Sequence, residues 1–438
     1  MLTFLDRWFR IRERGSSVRL EVLGGATTFA TMAYIIVVNP AILSHAGIKE
    51  GPSTIATIVA AVFGCLLMGI YANRPLAVAP YMGENAFIAF GLIGVTWEQR
   101  LGSVFVAGSI FLVLTLCGAR TWLAAAISPS MKHSFAIGIG LFLLFIGMVQ
   151  TGIVVNGAPG PPVKIGDFSD VKVQLALAGF VFTAVLMYWN VRGAILIGIA
   201  VVAVAGYLLG VGEAPESVVA LPTDYHLEEV AFKLDILGVL KFDFLTILLT
   251  LFLISFLDTL GTIYALGSAA GMLDEKGNLA DVEKPMVVDS LACMFSALVG
   301  TSTSGAYIES AAGNKEGART GLAAIVTGVC FAVALFFMPL FKPLQSLTFA
   351  YGPALMIVGV MMFGALKHLD TADLTELVPA LVTIVMMVFT YNIANGLTAG
   401  LIVHPVLKLL CGKWRQIHPG GVLLAALCLM YYVFGRMH

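Results

Sequence analysis

Apolar runs close to the thickness of a bilayer's hydrocarbon core recur along the whole chain, at 21–43, 53–72, 173–189, 191–210, 245–270, 319–341 and 377–391. No other feature restricts the fold as strongly. Inside lipid every backbone N–H and C=O must find its partner within the protein, so a spanning chain folds as helices or as a closed barrel. Runs of this length are helical, and the gaps between them leave no room for a soluble domain. The composition agrees, with 59% hydrophobic and 12% charged residues. The expectation is an all-α polytopic membrane protein.

Several function classes fall away on the same evidence. A net charge of −1 gives no basic balance for nucleic acid. Cys65, Cys117, Cys293, Cys330 and Cys428 lie inside apolar runs with no CxxC pair, and read as small hydrophobes. The seven histidines are scattered, with no HExxH or Cys/His cluster, so no metal is assigned. No cofactor fingerprint and no nucleophile–base pair is present, which argues against an enzyme. The start, "LDRWFRIRERGSSVRLE", is Arg-rich and amphipathic without a cleavage site, and residues 1–20 read as a retained cytoplasmic segment.

Fourteen crossings are the most economical count: a first repeat at 21–210 with seven segments, an extracytoplasmic loop at 211–243, and a second repeat at 244–438 with seven more. The stretch 420–435 is either an additional crossing or an interfacial helix. With the N-terminus inside, only Lys49, Arg100, Lys164, Lys172, Lys233, Lys241 and Lys342 fall outside, which satisfies the positive-inside rule and places both termini in the cytoplasm. The halves echo one another: "GFVFTAVLMYWNVRGAILIGI" (179–199) matches "ALVTIVMMVFTYNIANGLTAGLI" (380–402) in its apolar run, polar break and resumed run. An odd number of crossings per half inverts one copy, as in secondary transporters that bind substrate at the repeat interface on discontinuous helices.

Two interrupted segments occupy corresponding places, the third of each half: "RPLAVAPYMGENAFIAFG" (74–91) and "ALVGTSTSGAYIESAAGN" (297–314). Pro80 and Gly83 break the first; Gly300 and Gly305 break the second. Each enters as extended backbone and continues as a half-helix. Thr301, Ser302, Thr303 and Ser304 offer hydroxyls there, and Glu309 projects from the following half-helix. Intramembrane carboxylates are costly, which marks Glu309 as functional. Asp258, flanked by apolar residues in "LFLISFLDTLGTIYALG", is marked for the same reason; without Lys or Arg nearby it calls for a ligand N–H, a proton, or Thr259 and Thr262 as partners. Asn85 either binds ligand or caps freed backbone, and Phe87 either stacks on a planar ligand or packs. Glu84 reads as facing a polar interface, Asp289 as an interdomain hydrogen bond, and His404 as a packing residue.

At these residues the chain resembles the nucleobase/ascorbate transporter superfamily, in its branch of adenine/guanine/hypoxanthine permeases. The resemblance covers nearly the whole chain and rests on "TTFATMAYIIVVNP" (27–40), "LAVAPYMGENAF" (76–87), "DTLGT" (258–262), "GTSTSGAYIES" (300–310) and "YNIANGL" (391–397). It implies the uracil-permease type of fold: short strands in segments 3 and 10, a core domain from segments 1–4 and 8–11, and a gate domain from 5–7 and 12–14 that commonly forms a homodimer. It also implies an inner-membrane location and an elevator-like exchange of core against gate. By motif position it implies that Asn85, Asp258 and Glu309 hold substrate, with Thr303, Ser304, Tyr307 and Phe87 around them. The family pattern often reads GLNAF and GTSTTTSYIES, so Glu84, Gly305 and Ala306 are departures that bear on substrate choice.

The mechanism implied is uptake of a purine base by proton symport. Ring N–H groups donate to Glu309 and Asp258, and either carboxyl is a candidate for the proton. Transport of xanthine or uracil, an anion transporter on the same architecture, and a channel are the alternatives. Two carboxylates at the site oppose an anion, and broken repeats favour alternating access over a pore.

Overall fold

The computed structural model describes residues 2–92, 94–119, 122, 125–212, 214–215, 217–269 and 281–434. The connection at 270–280 and the end of the second half at 435–438 lie outside the described residues. Among the described residues nine helices are long and apolar enough to cross a membrane, and Ala194–Leu208, Leu374–Phe389 and Pro419–Met430 are shorter apolar helices. Each apolar run read from the sequence overlaps one of these, with ends that differ by a few residues. The protein is a mostly helical, multi-pass membrane protein.

Local chemistry sets the helix ends. Ser128 Oγ accepts from Met131 N at 3.3 Å ahead of Pro129, and Asp170 Oδ1 accepts from Lys172 N at 2.9 Å. Asn392 does the same for Ala394 N at 2.8 Å, which explains the polar break inside "YNIANGL". The Glu283–Val299 helix stops at Gly300, whose φ of +96° a residue with Cβ rarely adopts.

The helices pack into two groups. One contains Val18–Met32, Ile35–Ser44, Glu50–Leu67, Trp97–Leu116, Leu245–Ala269, Glu283–Val299 and Gly321–Ala334. The other contains Pro129–Gln150, Val171–Tyr188, Ala194–Leu208, Thr348–Met362, Leu374–Phe389 and Ile393–Leu410. Within the second group small residues allow close approach: a Cβ on Gly359 would lie 2.4 Å from Gly140 O. Large apolar side chains such as Val113, Leu208 and Phe389 point outward and exposed, as a lipid solvent requires. Residues 217–243 lie across one end of the first group, where Phe232 N donates to Leu298 O at 2.7 Å and Lys49 pairs with Glu229 at 2.7 Å.

Between the helices of the first group run two short strands. Val78–Pro80 pairs antiparallel with Ser304–Ala306, in the register Val78↔Ala306, Ala79↔Gly305 and Pro80↔Ser304. Tyr81 N→Thr303 O and Tyr307 N→Ala77 O, each 2.9 Å, extend the pairing at both ends. Each strand leads into a short helix, Met82–Ala86 and Ser310–Lys315 respectively. The surroundings repeat as well. The helix preceding each strand gives it a thiol: Cys65 Sγ to Val78 O at 3.3 Å, and Cys293 Sγ to Ser304 O at 3.0 Å. Two of the cysteines read as plain hydrophobes are therefore strand partners, a role that spacing alone does not reveal.

Candidate functional site

Asp258 sits midway along the Leu245–Ala269 helix, and Glu309 stands immediately before the Ser310–Lys315 helix. Both are half-buried and near enough for their charges to interact. Glu309 Oε1 accepts from Tyr34 Oη at 2.7 Å. The Asp258 carboxyl has no hydrogen-bond partner among the described residues, so Thr259 and Thr262 do not satisfy it. One helical stripe, Asp258, Gly261 and Ala265, borders an opening; nothing lies within 4 Å of where a Gly261 Cβ would be. Ile308, beside Glu309, is 48% exposed.

Tyr307 is buried beside these two carboxyls, with its hydroxyl donated to Pro80 O. Its ring is parallel to that of Tyr81, with centroids 6.3 Å apart and planes 4° apart. Thr303 is fully buried; its carbonyl holds Tyr81 N, and its hydroxyl is free of hydrogen bonds. Ser304 is occupied, accepting Ser296 Oγ at 2.6 Å on its hydroxyl. Phe87 is sealed, lying so tightly on Gly91 that a Cβ there would come within 2.6 Å of the ring. The structure therefore brings Asp258, Glu309 and Tyr307 together, with Thr303, Ser304 and Phe87 enclosed.

Asn85 belongs to a different constellation. Its Nδ2 donates to Asn39 Oδ1 at 2.8 Å, and Asn39 Nδ2 donates to Thr57 Oγ1 at 2.7 Å and Thr301 Oγ1 at 2.8 Å. Ser302 Oγ donates to Asn39 Oδ1 at 3.0 Å. All five side chains are fully buried. Such a network ties both broken segments to the helices around them, because each member leaves a costly unpaired group if another is removed. One oxygen, Asn85 Oδ1, remains without a partner.

Asp289 differs most from the sequence expectation of an interdomain contact. It is fully buried under the strands, and its Oδ2 accepts from Thr259 Oγ1 at 3.0 Å, Ala306 N at 3.0 Å and Tyr81 Oη at 3.3 Å. It clamps both strands to the helix that carries Asp258. Glu84 is also enclosed, accepting Ser255 Oγ at 2.8 Å. His404 Nε2 meets Glu376 at 3.2 Å beside Lys408, in the second helix group.

Sequence reasoning missed Tyr34, Asn39, Tyr81 and Arg100. A signal existed for Asn39, since an amide inside "AYIIVVNP" must be paired where water is absent. Arg100 satisfies the end of the first broken segment through Ile88 O at 2.6 Å, Ala89 O at 3.0 Å and Leu92 O at 2.7 Å. Its guanidinium thus takes the carbonyls that a helix end leaves orphaned. Among the described residues no group of three or more His, Cys, Asp or Glu side chains is placed to hold a metal.

Comparison with known proteins matches this architecture. The transmembrane domain of the cyanobacterium bicarbonate transporter BicA superposes with a TM-score of 0.62 at 16% identity, covering 87% of this chain and 97% of that one. SLC26A9 gives 0.61 at 12% identity, over 90% of this chain and 66% of that one. These likenesses establish the fold. In sequence, the adenine permease AdeP of Escherichia coli (strain K12) is 36% identical across 99% of this chain and 97% of its own length. The guanine/hypoxanthine permease PbuO of Bacillus subtilis (strain 168) is 36% identical across 96% and 98%. The Permease family (Xan_ur_permease) matches residues 19–398, so the resemblance drawn from the motifs holds, and this chain belongs to that family of transport proteins.

Proposed function

We propose that the protein is a secondary transporter that takes up purine nucleobases, adenine, guanine or hypoxanthine, by proton symport. The observation that carries this reading is the Asp258 carboxyl, which borders an opening without a partner opposite Glu309. Two acceptors with no basic residue between them suit a neutral planar ligand that presents N–H donors. Ring N–H groups of the base donate to Asp258 and Glu309, and the face of Tyr307 and the backbone near 303–307 meet the rest of the ring. A base lacking a matching donor leaves a buried acceptor unpaired, which discriminates strongly against it. The names of the relatives, adenine and guanine/hypoxanthine permeases, support the purine class.

In this reading fourteen segments form two inverted repeats. The strand-bearing group is the core and the other group the gate, which also supplies a homodimer contact. The core moves against the gate in an elevator-like exchange, in a cytoplasmic membrane with both termini inside. A proton enters with the base, bound to a carboxyl of the core, with Glu309 and Asp258 the candidates that the sequence offers. One proton driven by 100 mV supplies about 2.3 kcal/mol, enough for roughly fifty-fold accumulation.

Uptake of radiolabelled adenine, guanine, hypoxanthine and uracil into proteoliposomes, with and without an inward proton gradient, tests the reading for wild type and Glu309→Gln. A purine accumulates only with the gradient, and the variant loses accumulation. Transport of no base, or a variant indistinguishable from wild type, rejects it.

A further inference from the structure

Four carboxyls lie at the centre of the strand-bearing group, and they divide by access. Asp258 and Glu309 border the opening; Asp289 and Glu84 are sealed, at 0% and 1% exposure. The sealed pair differ in turn. Asp289 receives three donors, all on Oδ2, and its Oδ1 is buried without a partner, whereas Glu84 Oε2 receives a single donor, Ser255 Oγ. Glu84 Oε1 is buried, and so is the Thr303 hydroxyl that faces the same carboxyl; neither has a partner apart from the other.

The titratable and charged groups around Glu84 are Asp258 on the Leu245–Ala269 helix, Asp289 and Cys293 on the Glu283–Val299 helix, and Tyr81 on its own segment. None is a cation. At 1% exposure no base reaches Glu84, and no cluster around it is placed to hold a metal among the described residues. The cation that fits is a proton. The Glu84–Thr303 pair accommodates it in either state, because a hydroxyl both donates and accepts. With Glu84 ionised, the Thr303 O–H donates to Oε1; with Glu84 protonated, the new Oε1–H donates to Thr303 Oγ1. The proton comes from water and returns to water, an O–H bond forming and breaking on Oε1, and only a hydroxyl rotation accompanies it. Thr303 also holds Tyr81 N through its carbonyl at 2.9 Å, so the change of charge is felt where the two broken segments cross.

Glu84 also differs from Asp258 and Glu309 in what it can bind, since it is sealed from the base. If those two accept N–H bonds from the base, a proton on either takes away part of their acceptor capacity, whereas a proton on Glu84 leaves both carboxylates whole for the base. We propose that Glu84 is a third proton-binding carboxyl of the core, which binds the proton while Asp258 and Glu309 bind the substrate. Its role in coupling rests on the nucleobase reading above; its binding of a proton does not.

The test is an infrared pH titration of purified wild type and Glu84→Gln, read at the protonated-carboxyl C=O stretch, together with transport in proteoliposomes. A band that titrates in wild type disappears in Glu84→Gln. Adenine counterflow without a gradient persists in the variant, while gradient-driven accumulation falls to the equilibrium ratio. An unchanged infrared titration in Glu84→Gln overturns the proposal, and so does loss of counterflow together with accumulation in a folded variant. If Glu84→Gln does not fold, Ser255→Ala decides: loss of the donor to Oε2 moves the titration midpoint to higher pH, and an unmoved midpoint overturns the assignment. A band that titrates and depends on Glu84 in a protein that moves no base leaves the proton site standing and rejects the nucleobase reading instead.

Discussion

Gly305→Ala is the most exacting test of how the crossing is built. A Cβ at this position would stand 2.0 Å from Tyr81 Oη, 2.3 Å from Cζ and 2.5 Å from Cε2, so the whole phenol end must move. Overpacking of this kind costs about 1–3 kcal/mol. Moving the ring also takes the hydroxyl from Thr259 at 3.2 Å and Asp289 at 3.3 Å, and a buried polar group left unmade costs about 1–3 kcal/mol more. The expected loss is therefore about 2–6 kcal/mol. Thermal unfolding in detergent of wild type, Gly305→Ala, Tyr81→Ala and the double variant reads it as a double-mutant cycle. With the ring gone the new methyl has room, so Gly305→Ala becomes nearly neutral in the Tyr81→Ala background. Tyr81→Phe does not rescue, because Cζ and Cε2 remain in the way. Equal destabilisation by Gly305→Ala in both backgrounds would refute the reasoning.

Other perturbations follow from the same contacts. Tyr34→Phe removes the donor to Glu309, a bond worth about 1.5–3 kcal/mol when the acceptor is charged, so thermal unfolding in detergent shows a loss of that order, and an unmoved midpoint contradicts the bond. Asn39→Ala strands the polar partners of four side chains and lowers the unfolding midpoint sharply, whereas a change confined to transport with unaltered stability contradicts the network's structural role. Asp373, at a helix end outside the apolar spans, is held well below the usual carboxylate range by Lys413 at 2.7 Å and by Thr375. A depressed carboxyl stabilises above the unfolded pKa of roughly 4 and loses that contribution as pH falls through its folded value. Melting curves of wild type and Asp373→Asn therefore differ at neutral pH and converge only in acid, and a gap that closes already at pH 6 contradicts the assignment.

The sequence reveals the spans and the breaks because both are local in origin. Hydrophobic length sets a helix such as Val171–Tyr188, and Pro80 or Gly300 interrupts one regardless of what packs nearby. The two carboxyls at the opening were legible for a related reason: a charge inside an apolar run stands out wherever it points. What is not local was hidden. Tyr34 reaches Glu309 across 275 positions and Tyr81 reaches Asp289 across 208, so neither pairing leaves a mark on spacing. Asn85 shows a different limit, since a polar side chain in a motif looks the same whether it faces a ligand or Asn39.

The fold is shared with the transmembrane domain of a bicarbonate transporter, so the proposed preference for a neutral donor over an anion has to come from this site's own residues. Fold alone does not decide it, because a site's chemistry lies in its side chains. A helix N-terminus carries a partial positive charge of roughly one half, which a full carboxylate beside it more than cancels. At the crossing, Glu309 stands at the start of the Ser310–Lys315 helix, and Asp258 faces it with no basic residue between them. Like charges disfavour an incoming anion, while N–H donors relieve both carboxyls at once. Bicarbonate at millimolar concentration accordingly leaves adenine counterflow unchanged, and Asp258→Asn reduces counterflow through loss of an acceptor. Competitive inhibition by bicarbonate in wild type would show that the local field is positive despite both carboxyls, and would return the anion reading to first place.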